Sequence, residues 1–226
     1  ITQFTERTGK EFGTALAKLE GDGLHALVLD LRNNPGGLLD ASVAVLSPFF
    51  RDGELAVYTQ GRGPGDRSEL RTSGADRPRG YPIAVLVNSG SASAAEIVTG
   101  ALRDTHRAVV IGERTFGKGS VQSLLQLGDG EALRLTTARY FTPGGQVIHG
   151  KGIEPDVSLP VSAADDRKLN IQRLRDDFTS VEEFKARFDF EPIPDRQLEV
   201  ALDVLRGLLA LGGDATTGAV KAASIP

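Results

Sequence analysis

Three continuous apolar runs constrain the fold of this chain more than anything else in it. They are HALVLDLR (residues 25–32), PIAVLVN (82–88) and RAVVIGE (107–113). Each is short, has β-branched content and lacks polar alternation, so each suits a strand buried on both faces. The first two run into small-residue turns, NNPGG (33–37) and SGSAS (89–93), and resume as helices, LLDASVAVLSPFF (38–50) and AAEIVTGALRD (94–104). Strand, Gly- or Ser-rich turn and helix therefore recur. That is the pattern of an α/β domain with sequential crossovers.

The rest of the chain decorates this core. ITQF (1–4) reads as the end of a strand, and TERTGKEFGTALAKLEGDG (5–23) as a helix with Phe12, Leu16 and Leu19 on one side and a Gly-Asp-Gly stop. Residues 51–80 are polar, Gly-rich and Arg-rich, with a strand at ELAVYTQ (54–60). Beyond residue 118 the pattern changes. SVQSLLQL (120–127) and EALRLTTARYFT (131–142) read as two strands joined by a Gly-Asp-Gly turn. PGGQVIHGKGIEPDVSLP (143–160) is loop and short strand, and its Pro and Gly residues mark a seam. This divides the chain into a core, 1–160, and a mainly helical segment, 161–226. In the latter, DRKLNIQRLRDDF (166–178), SVEEFKARF (180–188) and DRQLEVALDVLRGLLALGG (195–213) read as surface or partner-facing helices, and DATTGAVKAASIP (214–226) as a loose tail.

Composition narrows the function classes. A net charge of −4 over 226 residues gives no electrostatic case for nucleic acid. No apolar run approaches the ~18 residues of a membrane span. The absence of Cys rules out a Cys nucleophile, a disulfide and a thiolate metal site. No pair of His, Asp or Glu shows metal-ligand spacing, so neither metal nor cofactor is expected.

The candidate chemistry lies at the strand ends. In DLRNNPGG (30–37) the paired glycines, Gly36 and Gly37, expose backbone N–H groups that no Cβ shields, as an oxyanion hole or anion nest requires. A tight turn needing a positive φ explains them equally well. In NSGSASAAEI (88–97) three serines alternate with small residues where a helix begins, a place where a nucleophile's developing anion is stabilised. Ser93-Ala94-Ala95-Glu96 also matches a capping box, so Ser93 can serve as a helix cap, and the two roles are compatible.

GERTFGKGSVQ (112–122) comes close to a phosphate-binding loop, but Gly119 stands where Ser or Thr would hold Mg²⁺, and no helix pattern follows. Nucleotide binding is not expected. Lys118 instead reads as a base for a serine, provided burial keeps its amine neutral. Its neighbours Gly117 and Gly119 let backbone pack closely around it, and on a strand Gln122 would share its face and hold its amine. The plain alternative is a solvated surface lysine. His25, His106 and His149 lie outside such turns, so a Ser–His–Asp triad has no support.

Taken together, LVLDLRNNPGGLL, VLVNSGSASAAEIVTGAL and GERTFGKGSVQ, in this order and at these distances, closely resemble the carboxy-terminal processing (tail-specific) proteases. These are serine endopeptidases of the Clp protease/crotonase-like fold with a Ser–Lys dyad. The resemblance covers about residues 1–160, including ARYFTPGGQVIHGKGIEPDV (138–157). It implies that Ser93, the second serine of an S-A-S run, is the nucleophile. Lys118, 25 residues downstream, would be the general base, supported by Gln122. The oxyanion hole would combine the Ala94 N–H with that of Gly36 or Gly37. The implied substrate is a polypeptide with an apolar carboxy terminus, and the implied location is extracytoplasmic (periplasm or cell envelope). Family members usually carry an N-terminal helical segment and a PDZ domain. This chain, which contains no Met, is expected to be a piece lacking both. By resemblance the C-terminal helices assemble homo-oligomers; a plain surface role fits them equally. Two rival functions are a crotonase-like acyl-CoA enzyme and a non-catalytic relative that only binds peptide tails.

Overall fold

A computed structural model describes residues 1–74, 76–128, 131–175 and 180–212. The three apolar runs form parallel strands, β1 (Leu27–Asp30), β4 (Ile83–Val87) and β5 (Ala108–Gly112), and a short β8 (Val157–Ser158) joins β5, giving the order β1-β4-β5-β8. All of β4 is buried, as its unbroken apolar text requires. Its residues divide between two cores by strand alternation. Ile83, Val85 and Val87 face a cluster that includes Leu16 of α1 (Thr8–Gly21), Val45 and Leu46 of α2 (Leu39–Leu46), and Val98 and Leu102 of α3 (Ala94–Asp104). Ala84 and Leu86 face the opposite way, onto Ala201 and Leu205 of α6 (Arg196–Leu211).

The helix α6, drawn from the C-terminal segment, thus roofs one face of the parallel sheet. Two further described helices, α4 (Ala163–Arg173) and α5 (Val181–Phe188), precede it. The first starts earlier than its text suggested, because Ser162 caps it by accepting from the Asp165 N–H at 3.1 Å. The expected extension of that helix to Phe178 runs into residues 176–178, and the loose tail is 214–226; both lie outside the described residues.

A second, antiparallel sheet has the order β3-β2-β7-β6, from β2 (Leu55–Gln60), β3 (Arg67–Arg71), β6 (Ser120–Gly128) and β7 (Glu131–Phe141). Val57, Ile97, Ile148 and Ile153 pack it onto α3. The segment 67–71 falls in the polar 51–80 stretch, where only 54–60 was expected to be a strand. It is a strand because its backbone pairs with β2 and Leu70 packs against the core beneath that sheet, while Glu69 bridges Arg67 and Arg71 on the exposed face at 2.8 and 2.5 Å. β6 and β7 pair as expected; residues 129 and 130 of their predicted Gly-Asp-Gly turn lie outside the described residues. ITQF is not the end of a strand but a single bridge, Phe4 to Gly37. Among the described residues no helix is long and apolar enough to cross a membrane.

Candidate active site

The chemistry-bearing turns all follow the C-terminal ends of parallel strands. After β4 the chain turns sharply, and Ser93 takes φ 55°, ψ −115° immediately before α3. A positive φ on a residue with a Cβ costs on the order of 1–3 kcal/mol and persists only where surroundings enforce it. Several bonds enforce it here. Ser91, fully buried, donates to the Leu31 carbonyl at 2.7 Å and accepts from the Asn88 N–H at 3.0 Å. The Ala92 N–H donates to the Asn34 carbonyl at 2.9 Å. A strained strand-to-helix turn of this kind projects a serine hydroxyl from the top of a sheet. The three candidate serines now separate. Ser91 is committed to the fold, Ser89 is exposed in the turn, and Ser93 alone is half-buried at the helix N-terminus.

The glycine pair lies beside it. A Cβ on Gly36 (φ +95°) would stand 2.7 Å from the Ser93 Cβ and 2.9 Å from the Ala94 nitrogen, so only glycine permits this approach. The Gly36 N–H is already committed, donating to Asn34 Oδ1 at 2.8 Å. Around Gly37 the Phe4 bridge uses the Gly36 carbonyl and the Leu38 N–H, at 2.9 and 2.8 Å. The N–H groups of Gly37 and Ala94 make no hydrogen bond among the described residues. A groove of about 500 Å³, lined by Gln3, Phe4, Thr5, Gly37 and Leu38 among others, opens at this point.

Glu96 joins the serine turn to the lysine loop. Its carboxylate is fully buried. Oε2 accepts from the backbone N–H of Ser93 at 2.9 Å and of Lys118 at 2.8 Å. Oε1 accepts from the Gly117 N–H at 2.7 Å and the Thr115 hydroxyl at 2.5 Å. Four donors on two oxygens is what a buried carboxylate needs to repay its desolvation. Sequence reading recognised Glu96 only as a partner in a helix cap.

The lysine itself differs from expectation. Lys118 is exposed, and its amine makes no hydrogen bond or ion pair among the described residues. Gly117 and Gly119 do allow close packing, but of the loop against the 148–152 backbone rather than around the amine. A Cβ on Gly119 would lie 2.5 Å from the His149 nitrogen. Gln122 is exposed too and makes no hydrogen bond to Lys118. Lys118 lies in the loop before β6, outside the strand whose alternation was to align it with Gln122. Two exposed apolar side chains flank the site in sequence, Leu38 after Gly37 and Phe116 before Gly117. No group of three His, Asp or Glu able to hold a metal occurs among the described residues.

The model of "Peptidase family S41" matches residues 1–159. The chain is 48% identical over 161 residues to the carboxy-terminal-processing protease of Bartonella bacilliformis, a match covering 70% of this chain and 37% of that protein. It is 43% identical over 161 residues to the "Probable CtpA-like serine protease" of Staphylococcus epidermidis, covering 70% and 32%. The chain thus spans about a third of the length of these curated relatives. Among solved structures, the photosystem II D1 C-terminal processing protease superposes with a TM-score of 0.65 at 39% identity, over 71% of this chain and 41% of that one. The parallel core with its strand–turn–helix units is the Clp protease/crotonase-like α/β fold, and the chain belongs to peptidase family S41.

Proposed function

We propose that this chain is the proteolytic core, residues 1–160 with a C-terminal helical segment 161–226, of a serine endopeptidase that cuts polypeptides near their carboxy terminus. Ser93 is the nucleophile and Lys118 the general base. The observation that carries this reading is the Glu96 carboxylate, whose one oxygen holds the backbones of both residues.

In the mechanism, an extended polypeptide with an apolar carboxy terminus enters beside Leu38 and Phe116. A lysine amine acts as a base only when neutral, and burial favours that state. Because Lys118 is exposed in the free chain, the bound polypeptide supplies the desolvation by covering it. Gln122 steadies the amine in that covered state. The Lys118 amine then takes the proton of Ser93 Oγ as Oγ attacks the scissile carbonyl. The oxyanion accepts from the N–H groups of Ala94 and Gly37; Gly36 is the weaker candidate because its N–H is held by Asn34. The lysine returns the proton to the leaving amine, and water hydrolyses the acyl-enzyme. Each oxyanion donor of this kind contributes about 3 kcal/mol to lowering the barrier.

By family likeness we place the protein outside the cytoplasm, and we assign assembly to the C-terminal helices, where Leu208 and Leu211 of α6 stay exposed. A peptide-tail-binding relative without turnover is the surviving rival, because an exposed Lys118 suits it. Intact-mass analysis of an unfolded protein with an apolar carboxy terminus separates the two. The full-length enzyme should release fragments that Ser93→Ala does not. Binding of the tail with no fragment from either protein identifies the non-catalytic rival.

A further inference from the structure

Arg32 lies two residues beyond β1 and four before Gly36, and its side chain is only 1% exposed. A buried guanidinium is tolerable only when its donors are taken up. Asp30 takes one edge of the fork, accepting from Nε at 2.9 Å and from Nη2 at 2.5 Å. The remaining nitrogen, Nη1, reaches across 163 residues of sequence to Asp195 Oδ1 at 2.8 Å, and also donates to Gln197 Oε1 at 3.1 Å. Asp195 is the N-cap of α6 and accepts from Arg173 of α4 at 3.2 Å through its other oxygen. Asp195, Gln197 and Arg173 all lie beyond residue 159, outside the stretch that the family model matches.

We propose that Asp195 and Gln197 are positioning residues for the reaction, holding the loop that carries Gly36 and Gly37 by gripping Arg32. This rests on the oxyanion assignment above. The loop between Arg32 and Gly36 transmits the grip because it has little slack. Asn33, at φ 58°, exchanges two hydrogen bonds with Asn88, at 2.8 and 2.9 Å. Asn34 accepts from the Ala92 N–H through its carbonyl and from the Gly36 N–H through its side chain. Apolar contacts also dock α6, since Ala201 and Leu205 are fully buried against the sheet. A buried pair is also weak stabilisation compared with apolar packing, which makes placement of the loop the better account of it.

The test uses the full-length protein. Asp195→Ser keeps a competent helix cap but is too short to reach Arg32; Asp195→Asn keeps both the cap and an acceptor oxygen. Displacing reacting groups by about 1 Å can cost 100-fold. Asp195→Ser is expected to lose about tenfold in kcat on a polypeptide with an apolar carboxy terminus, with KM within about twofold and faster amide exchange at 33–38. Asp195→Asn should recover most of both. If Asp195→Ser fails to fold, Arg32→Lys, which keeps the charge but not the fork, takes its place with the same expected losses. A lower Tm with kcat and exchange at 33–38 unchanged at 25 °C would overturn the proposal, leaving Asp195 as a docking residue only. Exchange reads the loop without cleavage, so it decides this proposal even if cleavage survives Ser93→Ala and the dyad reading fails.

Discussion

The backbone N–H groups of Ser93 and Lys118 donate to the same atom, Glu96 Oε2, at 2.9 and 2.8 Å. A helix start and a strand-entry loop, far apart in sequence, are thereby fixed to one buried carboxylate. The first prediction concerns that atom. Glu96→Gln keeps the shape but replaces one acceptor oxygen with a donor, so two of the four donors now face an NH₂. A buried group left unsatisfied costs about 1–3 kcal/mol. Urea unfolding should show a loss of about 3 kcal/mol, and kcat should fall at least about tenfold as the two loops move apart.

Gly36 is the second. Alanine there meets both a positive φ and the Ser93 Cβ at 2.7 Å. The left-handed backbone alone costs about 1–2 kcal/mol, and the overlap adds to it. A thermal melt should show clear destabilisation. The residual folded enzyme should lose kcat rather than KM, because the displaced atoms belong to the serine turn.

Acid should loosen the same end of the sheet. Burial pushes the Asp195 carboxyl up, but the Arg32 hydrogen bond and charge, with the Arg173 charge, outweigh it and hold the group below the ordinary aspartate value. A depressed folded pKa contributes stability that is present above the unfolded value, about 3.9, and is lost as pH falls through the folded value. Wild type should therefore exceed Asp195→Asn in urea midpoint at pH 7. The gap should close as pH falls below the ordinary aspartate value and the carboxyl protonates in the folded protein. A gap that stays constant with pH would show that the carboxylate charge is not what Arg32 requires.

Gln122 should matter to chemistry and not to the fold. It is exposed and unbonded to Lys118 in the free chain. Gln122→Ala should leave Tm unchanged while lowering kcat severalfold. Equal kcat in the two proteins would remove Gln122 from the site.

How far the sequence could be read depended on the distance over which each feature is determined. β1, β4 and β5 were legible because a strand covered on both faces must be apolar throughout, as Ile83 to Val87 are. β3 was not, because its charged Arg67, Glu69 and Arg71 face solvent and only the pairing with β2 makes the segment a strand. The serine turn was visible as small residues before a helix. The strain at Ser93 and the burial of Ser91 were not, since both arise from contacts with the 31–36 loop. Glu96 looked like a cap because only its local partner is near in sequence; Thr115, Gly117 and Lys118 approach it through the fold. Strand alternation could not align Lys118 with Gln122, because Lys118 lies in the loop before β6 begins at Ser120. The grip of Asp195 on Arg32 spans 163 residues and leaves no local signal.

The central claim is that Lys118 is the base for Ser93, and Lys118→Ala tests it most directly. Its amine is exposed and makes no hydrogen bond or ion pair among the described residues, so its loss should leave Tm unchanged. General-base catalysis contributes about 10²–10⁴-fold. In the full-length enzyme, cleavage of a polypeptide with an apolar carboxy terminus, followed by intact mass, should fall by that factor. Lys118→Ala cleaving at the wild-type rate would contradict the account, whatever Ser93→Ala shows.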